Sequence, residues 1–422
     1  MQIALEFRLT DQLMRKLIFL LLVFVLGCIR IAVAALPSEN TFLLSERSTV
    51  SVLTCSKTSK YIYALFGHSA VRITDQERQL DLVYNYGTFD TDDPNFYINF
   101  INGKMRYSLS VSTYHSFLQG YITDQQTVST QKLNLTLKEK NKLFSLLNEQ
   151  LKPSNKYYYY DFIKNNCATK IVDLLAQTIG PDFDYSLAVA NRGTGNPVRT
   201  LVSNYLTNDA LYMIGMNVLL GSKADITSSK AVNLFLPDTL QKRLDQIQLR
   251  KRKMADPAAF LFKSGKEEHV SPNVLTSCLY SFLLILLLIS PFIEQVNGAN
   301  KLMMWVTIAV FTMASLLGFL LLYLSLFSSL ELVKYNLNLL WCHPFYLLVF
   351  YKKISKSLSV ILLASIVVFV MLYFKTMSFP VIFPILILLI VLLSLHYNTS
   401  AGNQVKSVNT VESVIADINR FY

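Results

Sequence analysis

Two short stretches of the sequence carry residue types able to do covalent chemistry. The first, "YIYALFGHSAVRI" at 61–73, sets His68 between Gly67 and Ser69 in an otherwise apolar run. The second, "YYYYDFIKNNCATKIVDLLAQ" at 157–177, places Cys167 directly ahead of a run with helical periodicity. A thiol opening a helix meets unpaired backbone N–H groups and the positive end of the helix dipole, which favour the thiolate. An imidazole within reach then completes a general arrangement for nucleophilic attack on a carbonyl. Asn165 and Asn166 precede the cysteine; both are natural capping residues and candidate amide donors to an oxyanion. A third group should orient the imidazole from a neighbouring strand. In "LDLVYNYG" at 80–87 the candidates are Asp81, Asn85 and Tyr84 or Tyr86, with His115 further on; Asn85 reads equally well as a turn residue ahead of Gly87.

Plainer readings stand beside this one. A cysteine at a helix start is often just a small buried side chain. Cys55 and Cys167 are also the only cysteines between residues 37 and 273, and an oxidising compartment would pair them as a disulfide. The histidines and cysteines are scattered without paired ligand spacing, and no glycine-rich phosphate loop occurs, so neither metal nor cofactor is expected.

The elements that must position these residues are legible in outline. "STVSVLTC", "HSAVRIT", "LDLVYNYG" and "MRYSLSVSTY" alternate β-branched or aromatic residues with polar ones and are separated by turn formers, which predicts strands. Leu137, Leu143, Phe144, Leu147 and Leu151 recur at helical spacing before Pro153. Ile171, Leu174, Leu175 and Ile179 do the same after Cys167, ending at Gly180 and Pro181. A site-bearing α+β core is thus expected over 48–180, with a helical appendage over 181–250. The aromatic runs at 96–100 and 157–160 read as core and strand packing, with an apolar groove as the alternative.

The chain of 422 residues is 52% hydrophobic and 16% charged, and the apolar residues are unevenly spread. Residues 1–36 pair a basic "MRK" with an apolar run and a small-residue exit, the pattern of a secretory signal peptide. Lipidation at Cys28 and an uncleaved anchor are alternatives, and in all three cases the chain beyond residue 36 is exported. An exported domain over 37–250 leads through a basic linker, 251–273, to apolar spans near 274–292, 302–328, 358–375 and 379–396. A fifth, shorter candidate at 336–350 is interrupted by asparagines, His343 and Pro344. Counting it as a crossing puts "YKKISK" at 351–356 and the tail at 398–422 in the cytoplasm, as the positive-inside rule requires. The net charge of +11 then speaks for an anionic membrane surface or a solvated face rather than for nucleic acid.

The ordered series "LTCSK", "YALFGHSAVRI", "LVYNYGTFD", "PNFYINFINGKMRYSL", "QKLNL", "YYYDFIKNNCATKIVDLL" and "LFLPDTL" resembles the bacterial Lnb N-terminal periplasmic domain family. The C-terminal half resembles its companion Lnb-like five-span membrane domain. More distantly, a strand-borne "GHSAVRI" followed by "NNC" opening a helix is similar to the permuted NlpC/P60-like papain fold, whose members include lecithin:retinol acyltransferase. These resemblances imply a permuted papain-like α+β domain in the periplasm, followed by an all-α bundle of about five helices in the bacterial inner membrane. They also imply Cys167 as nucleophile and His68 as general base, with Asn85 as the polar third member. The chemistry expected is hydrolysis or acyl transfer at an amide or ester of the cell envelope. Membrane lipid and an envelope peptide or acyl-lipid are the expected partners. The alternative is a non-catalytic envelope binding or scaffold module.

Overall fold

The computed structural model describes residues 42–90, 92–183, 196–206, 210–226, 234–249, 252–265, 299–351, 354–373, 382 and 384–393. The signal segment with Cys28, the span near 274–292 and the tail at 398–422 lie outside the described residues. From Ser45 onward the chain forms one unit.

Strands β1 (Thr49–Cys55), β2 (His68–Asp75) and β3 (Leu80–Thr88) form a meander. A short helix α1 (Phe96–Ile101) leads into β4 (Arg106–Thr113), which pairs with β3. Then come α2 (Tyr114–Thr123), β5 (Val128–Lys132), α3 (Leu137–Leu151), β6 (Tyr157–Tyr159) and α4 (Cys167–Ile179). The four expected strands and both expected helices lie where the periodicities place them. α3 is fixed at its start by a reciprocal cap between Thr136 and Glu139. α4 stops at Gly180, whose φ of +74° lies in the left-handed region that a side chain disfavours. The two helices pack on each other, and α4 packs on β2 and β3. Tyr84 and Tyr86 donate to Asn148 and Gln150 and so tie the sheet to the α3 end. Leu143, Leu147, Ile171, Leu174 and Leu175 are buried in this layer, each contributing about 1.5–3 kcal/mol of transfer free energy.

The appendage adds α5 (Val198–Tyr205), α6 (Ala210–Leu219) and α7 (Pro237–Leu244), followed by the hairpin β7 (Gln248–Leu249) and β8 (Arg252–Lys253). The last strand, β9 (Ala259–Phe262), pairs with β5, giving an antiparallel sheet in the order β6-β4-β3-β2-β1-β5-β9. This departs from the expectation of a linker over 251–273. "AFLF" is too short to show alternation, yet it completes the sheet edge, and Arg252 of the basic run pairs with Glu139 at the start of α3.

In the C-terminal half, α8 (Ala299–Phe327) and α9 (Ser355–Tyr373) are long and apolar enough to cross a membrane, and a shorter apolar helix, α10, covers Pro384–Leu393. The 336–350 segment is not an α-helix. It runs as 3-10 turns, Leu337–Leu340 and Tyr346–Phe350, because Asn336 and Asn338 divert their side chains to backbone groups and Pro344 interrupts the middle.

That segment nonetheless runs along α8. Asn336 donates to Val218 O of the exported domain, Cys342 and Pro344 lie against Gly318, and Tyr346 and Phe350 contact Phe311 deep in α8. At the top of α9, Tyr373 donates to Asp225 of the exported domain at 2.8 Å. The α9 start at Ser355 is then about 27 Å away at 1.5 Å per residue. Lys356 therefore stands at the end of α9 remote from the exported domain.

Candidate active site

The antiparallel register pairs Val71 with Tyr84, which sets Ala70 opposite Asn85. His68, two residues along β2, therefore shares a face with Asn85. Nε2–H of the imidazole donates to Asn85 Oδ1 at 2.5 Å. The start of α4 abuts this end of β2, which brings the Cys167 thiol close enough to His68 for each group to shift the other's titration. Because Asn85 holds Nε2 in the protonated form, Nδ1 is the nitrogen left for sulfur. Two glycines shape this end of the sheet. A Cβ on Gly67, at φ +75°, would lie 2.6 Å from Cys55 O, and Gly87, beside His68 Cε1, holds a φ of +96° that a side chain disfavours.

Burial by itself would raise the Cys167 pKa. The charge and hydrogen bond of His68 outweigh it, with help from the Ser69 and Ala168 N–H groups, and the thiol ends below its ordinary value. Burial would likewise lower His68, but the facing sulfur and the Asn85 hydrogen bond leave it raised. The two groups titrate as a pair in which thiolate and imidazolium support each other. Cys55 is a different kind of thiol: fully buried and pushed up by burial. Both cysteines are free, so the disulfide alternative is not formed.

The asparagine amides are engaged elsewhere. Asn166 caps α4 by accepting from Thr169 N–H, and its Nδ2 donates to Phe162 O and Phe235 O. Asn165 Nδ2 donates to Tyr159 O. The same short polar side chains that make a good cap thus reach the backbone around them, two carbonyls for Asn166 and one for Asn165. The alternative orienting residues are also committed, Asp81 to Arg72 and both tyrosines to α3. His115 lies in the first turn of α2.

Sequence reasoning passed over Tyr158. Its hydroxyl is buried and accepts only weakly from the Gly87 N–H, which leaves the O–H proton without an acceptor. Burial raises its pKa, and Cys167 is close enough to raise it further, so the phenol stays protonated beside the thiol. Tyr160 shares the influence of Cys167 and packs between Tyr107 and Phe162. The signal was present in "YYYY": period-two alternation turns Tyr158 and Tyr160 inward while Tyr157 and Tyr159 remain exposed.

Residues 43–204 match the Lnb N-terminal periplasmic domain, and residues 265–402 match the Lnb transmembrane domain. The chain belongs to the Lnb family. His68, Asn85, Tyr158 and Cys167 all lie inside the first matched region, whereas α6, α7 and β7 to β9 lie between the two. The Lnb architecture is that of a membrane-anchored envelope protein with a periplasmic N-terminal domain. No curated protein and no solved structure matches the chain.

Proposed function

We propose that this protein is a membrane-tethered periplasmic thiol enzyme that cleaves or transfers an acyl group at an amide or ester of the cell envelope. The carrying observation is His68 bonded to Asn85 at the end of β2 that the start of α4, with Cys167, abuts. In this reading the Cys167 proton passes to His68 Nδ1, and the thiolate attacks the carbonyl carbon. Asn85 keeps the imidazole in the required tautomer. The Tyr158 hydroxyl and the N–H groups at the α4 start stabilise the oxyanion in place of the asparagine amides. Collapse expels the alcohol or amine, which takes the proton back from His68. Water or an acceptor amine then resolves the thioester.

The order of His68 before Cys167, and a thiol-bearing helix against an antiparallel sheet, support a permuted NlpC/P60-like fold. The crossing by 336–350 supports a multi-pass anchor in the inner membrane with Lys356 on the cytoplasmic side. An envelope peptide or acyl-lipid is the substrate this placement favours. One observation favours a second reading: Cys167 is only 7% exposed, as a structural thiol in a binding module would be.

Electrophile labelling of the detergent-solubilised full chain across pH separates the two, comparing wild type with Cys167→Ala, Cys55→Ala and His68→Ala. Labelling at Cys167 with an apparent pKa below about 7.5, slowed by loss of His68, is the expected result. A Cys167 that reacts only above about pH 9, irrespective of His68, would overturn the catalytic reading and leave the binding module.

A further inference from the structure

The underside of the exported domain is unusually apolar where it meets the membrane half. α1 has the sequence "FYINFI", and none of its six residues is buried. Tyr97 is 77% exposed and Ile98 60%, and Phe100 is exposed beside them. Fully solvated, such a helix would hold about 1.5–3 kcal/mol of unrealised burial in each large side chain. Other exposed apolar residues stand on the same side: Leu211 on α6, Ile226 after the Arg199–Asp225 pair, and Tyr335 beyond the end of α8.

The height of these residues follows from hydrogen bonds to the end of α8. Tyr323, in its final turns, donates to Asn102 Oδ1 at 2.8 Å. Ser329 donates from N–H to Asn102 O and from Oγ to both Asn102 O and Gly103 O. Asn102 caps the end of α1, so the whole helix, about 9 Å long, lies within about 9 Å of the end of the span. A bilayer's headgroup region adds about 5–7.5 Å on each side, close to the rise of about 7.5 Å from Tyr97 to Asn102. On the appendage side, Gly221 N–H donates to Leu332 O, and a Cβ there would lie 1.9 Å from Lys334 O. Ile214 and Val218 of α6 already pack in one apolar cluster with Phe311, Trp341 and Leu362.

We propose that Tyr97, Ile98, Phe100, Leu211, Ile226 and Tyr335 form a collar seated in the headgroup layer of the bilayer that α8 and α9 cross. The occupant is lipid: the collar is continuous with the membrane-spanning surface, and its tyrosines match the aromatic enrichment of membrane interfaces. The inference does not depend on the catalytic reading, since it uses no residue of that site.

The test uses the full chain in nanodiscs. Tyr97→Trp is compared with Gln76→Trp, which lies in the exposed β2–β3 turn at the opposite end of the strands, and the emission of wild type is subtracted from each. Lipids brominated high on the acyl chain should remove most of the emission added at 97 and none of that added at 76. Aqueous iodide should do the reverse. Emission at 97 that iodide quenches as readily as at 76, and that brominated lipid leaves untouched, would overturn the proposal. Protection at 97 from both quenchers would overturn it too, because the cover would then be protein.

Discussion

Removing the Asn85 side chain by Asn85→Ala tests the proposed chemistry at a point that leaves the nucleophile and base in place. Asn85 accepts from His68 Nε2–H at 2.5 Å, and this bond strengthens when the ring is an imidazolium. A hydrogen bond to a charged group is worth about 1.5–3 kcal/mol. At about 1.4 kcal/mol per pKa unit, its loss moves the pair by roughly one to two units. The sign comes from the directions in the native site: Cys167 lowered, His68 raised. The ion pair exists above the thiol's pKa and below the imidazolium's, so losing Asn85 raises the former, lowers the latter and narrows the window from both sides. The assay is the second-order rate of labelling at Cys167 against pH. The variant's ascending limb should shift upward by about one to two units, with a fall of about 10–100-fold near pH 7. Asn85→Asp, which supplies an acceptor with full charge, should restore or extend the window. An unchanged profile in Asn85→Ala, with His68→Ala still slowing the thiol, would refute the orienting role.

Tyr158→Phe should leave that labelling profile nearly untouched, because the hydroxyl donates to no group of the resting site, yet lower kcat about 100–1,000-fold on an ester or amide substrate; equal activity would remove Tyr158 from the oxyanion site. Gly221→Ala should lower the melting temperature of the full chain in nanodiscs, since the new methyl would stand 1.9 Å from the Lys334 carbonyl and the strain of such overpacking is about 1–3 kcal/mol. A variant that melts with wild type would show that the contact between Gly221 and the loop after α8 is loose.

The parts legible from sequence were those whose signal was long or doubly encoded. β1 to β4 each hold at least seven residues of alternation, and α3 and α4 pair helical spacing with a cap and a stop. α1, β6 and β9 have six, three and four residues, shorter than one clear period of evidence for either structure, and tertiary pairing decides them. Asn166 illustrates a different limit. Its identity pointed equally to a helix cap and to an oxyanion donor, and only the positions of Phe162 O and Phe235 O show where the amide goes. Its length and its interruption by asparagines, His343 and Pro344 marked 336–350 as marginal for a span; the side-chain bonds of Asn336 and Asn338 explain how so polar a segment packs along α8 without an α-helical ladder.

The sheet also has a polarity that bears on substrate access. Cys55, His68 and Gly87 stand at one end of their strands, and the β2–β3 turn stands at the other. β4 begins at this same end, pairing Ser108 with Thr88, and Gly103 just before it presses against Ser329 and Leu330 after α8. The extended chain from Gly103 to Ser108 spans at most about 17 Å. The thiol and the contact with the chain after α8 thus share one end of the sheet. From the exposed face of α1, ring contacts run inward through Phe100, Phe162 and Tyr160 toward Cys167. Under the proposed function, a thiol at this end of the sheet favours a labile bond carried just above the headgroups, which would have only this short apolar distance to cross. Under the same proposal, the close contacts of Gly103 and Gly221 with the chain after α8, and of Asn336 with Val218 O, would hold the site at a constant height above the bilayer, so that reach from the lipid limits which bonds arrive at the thiol.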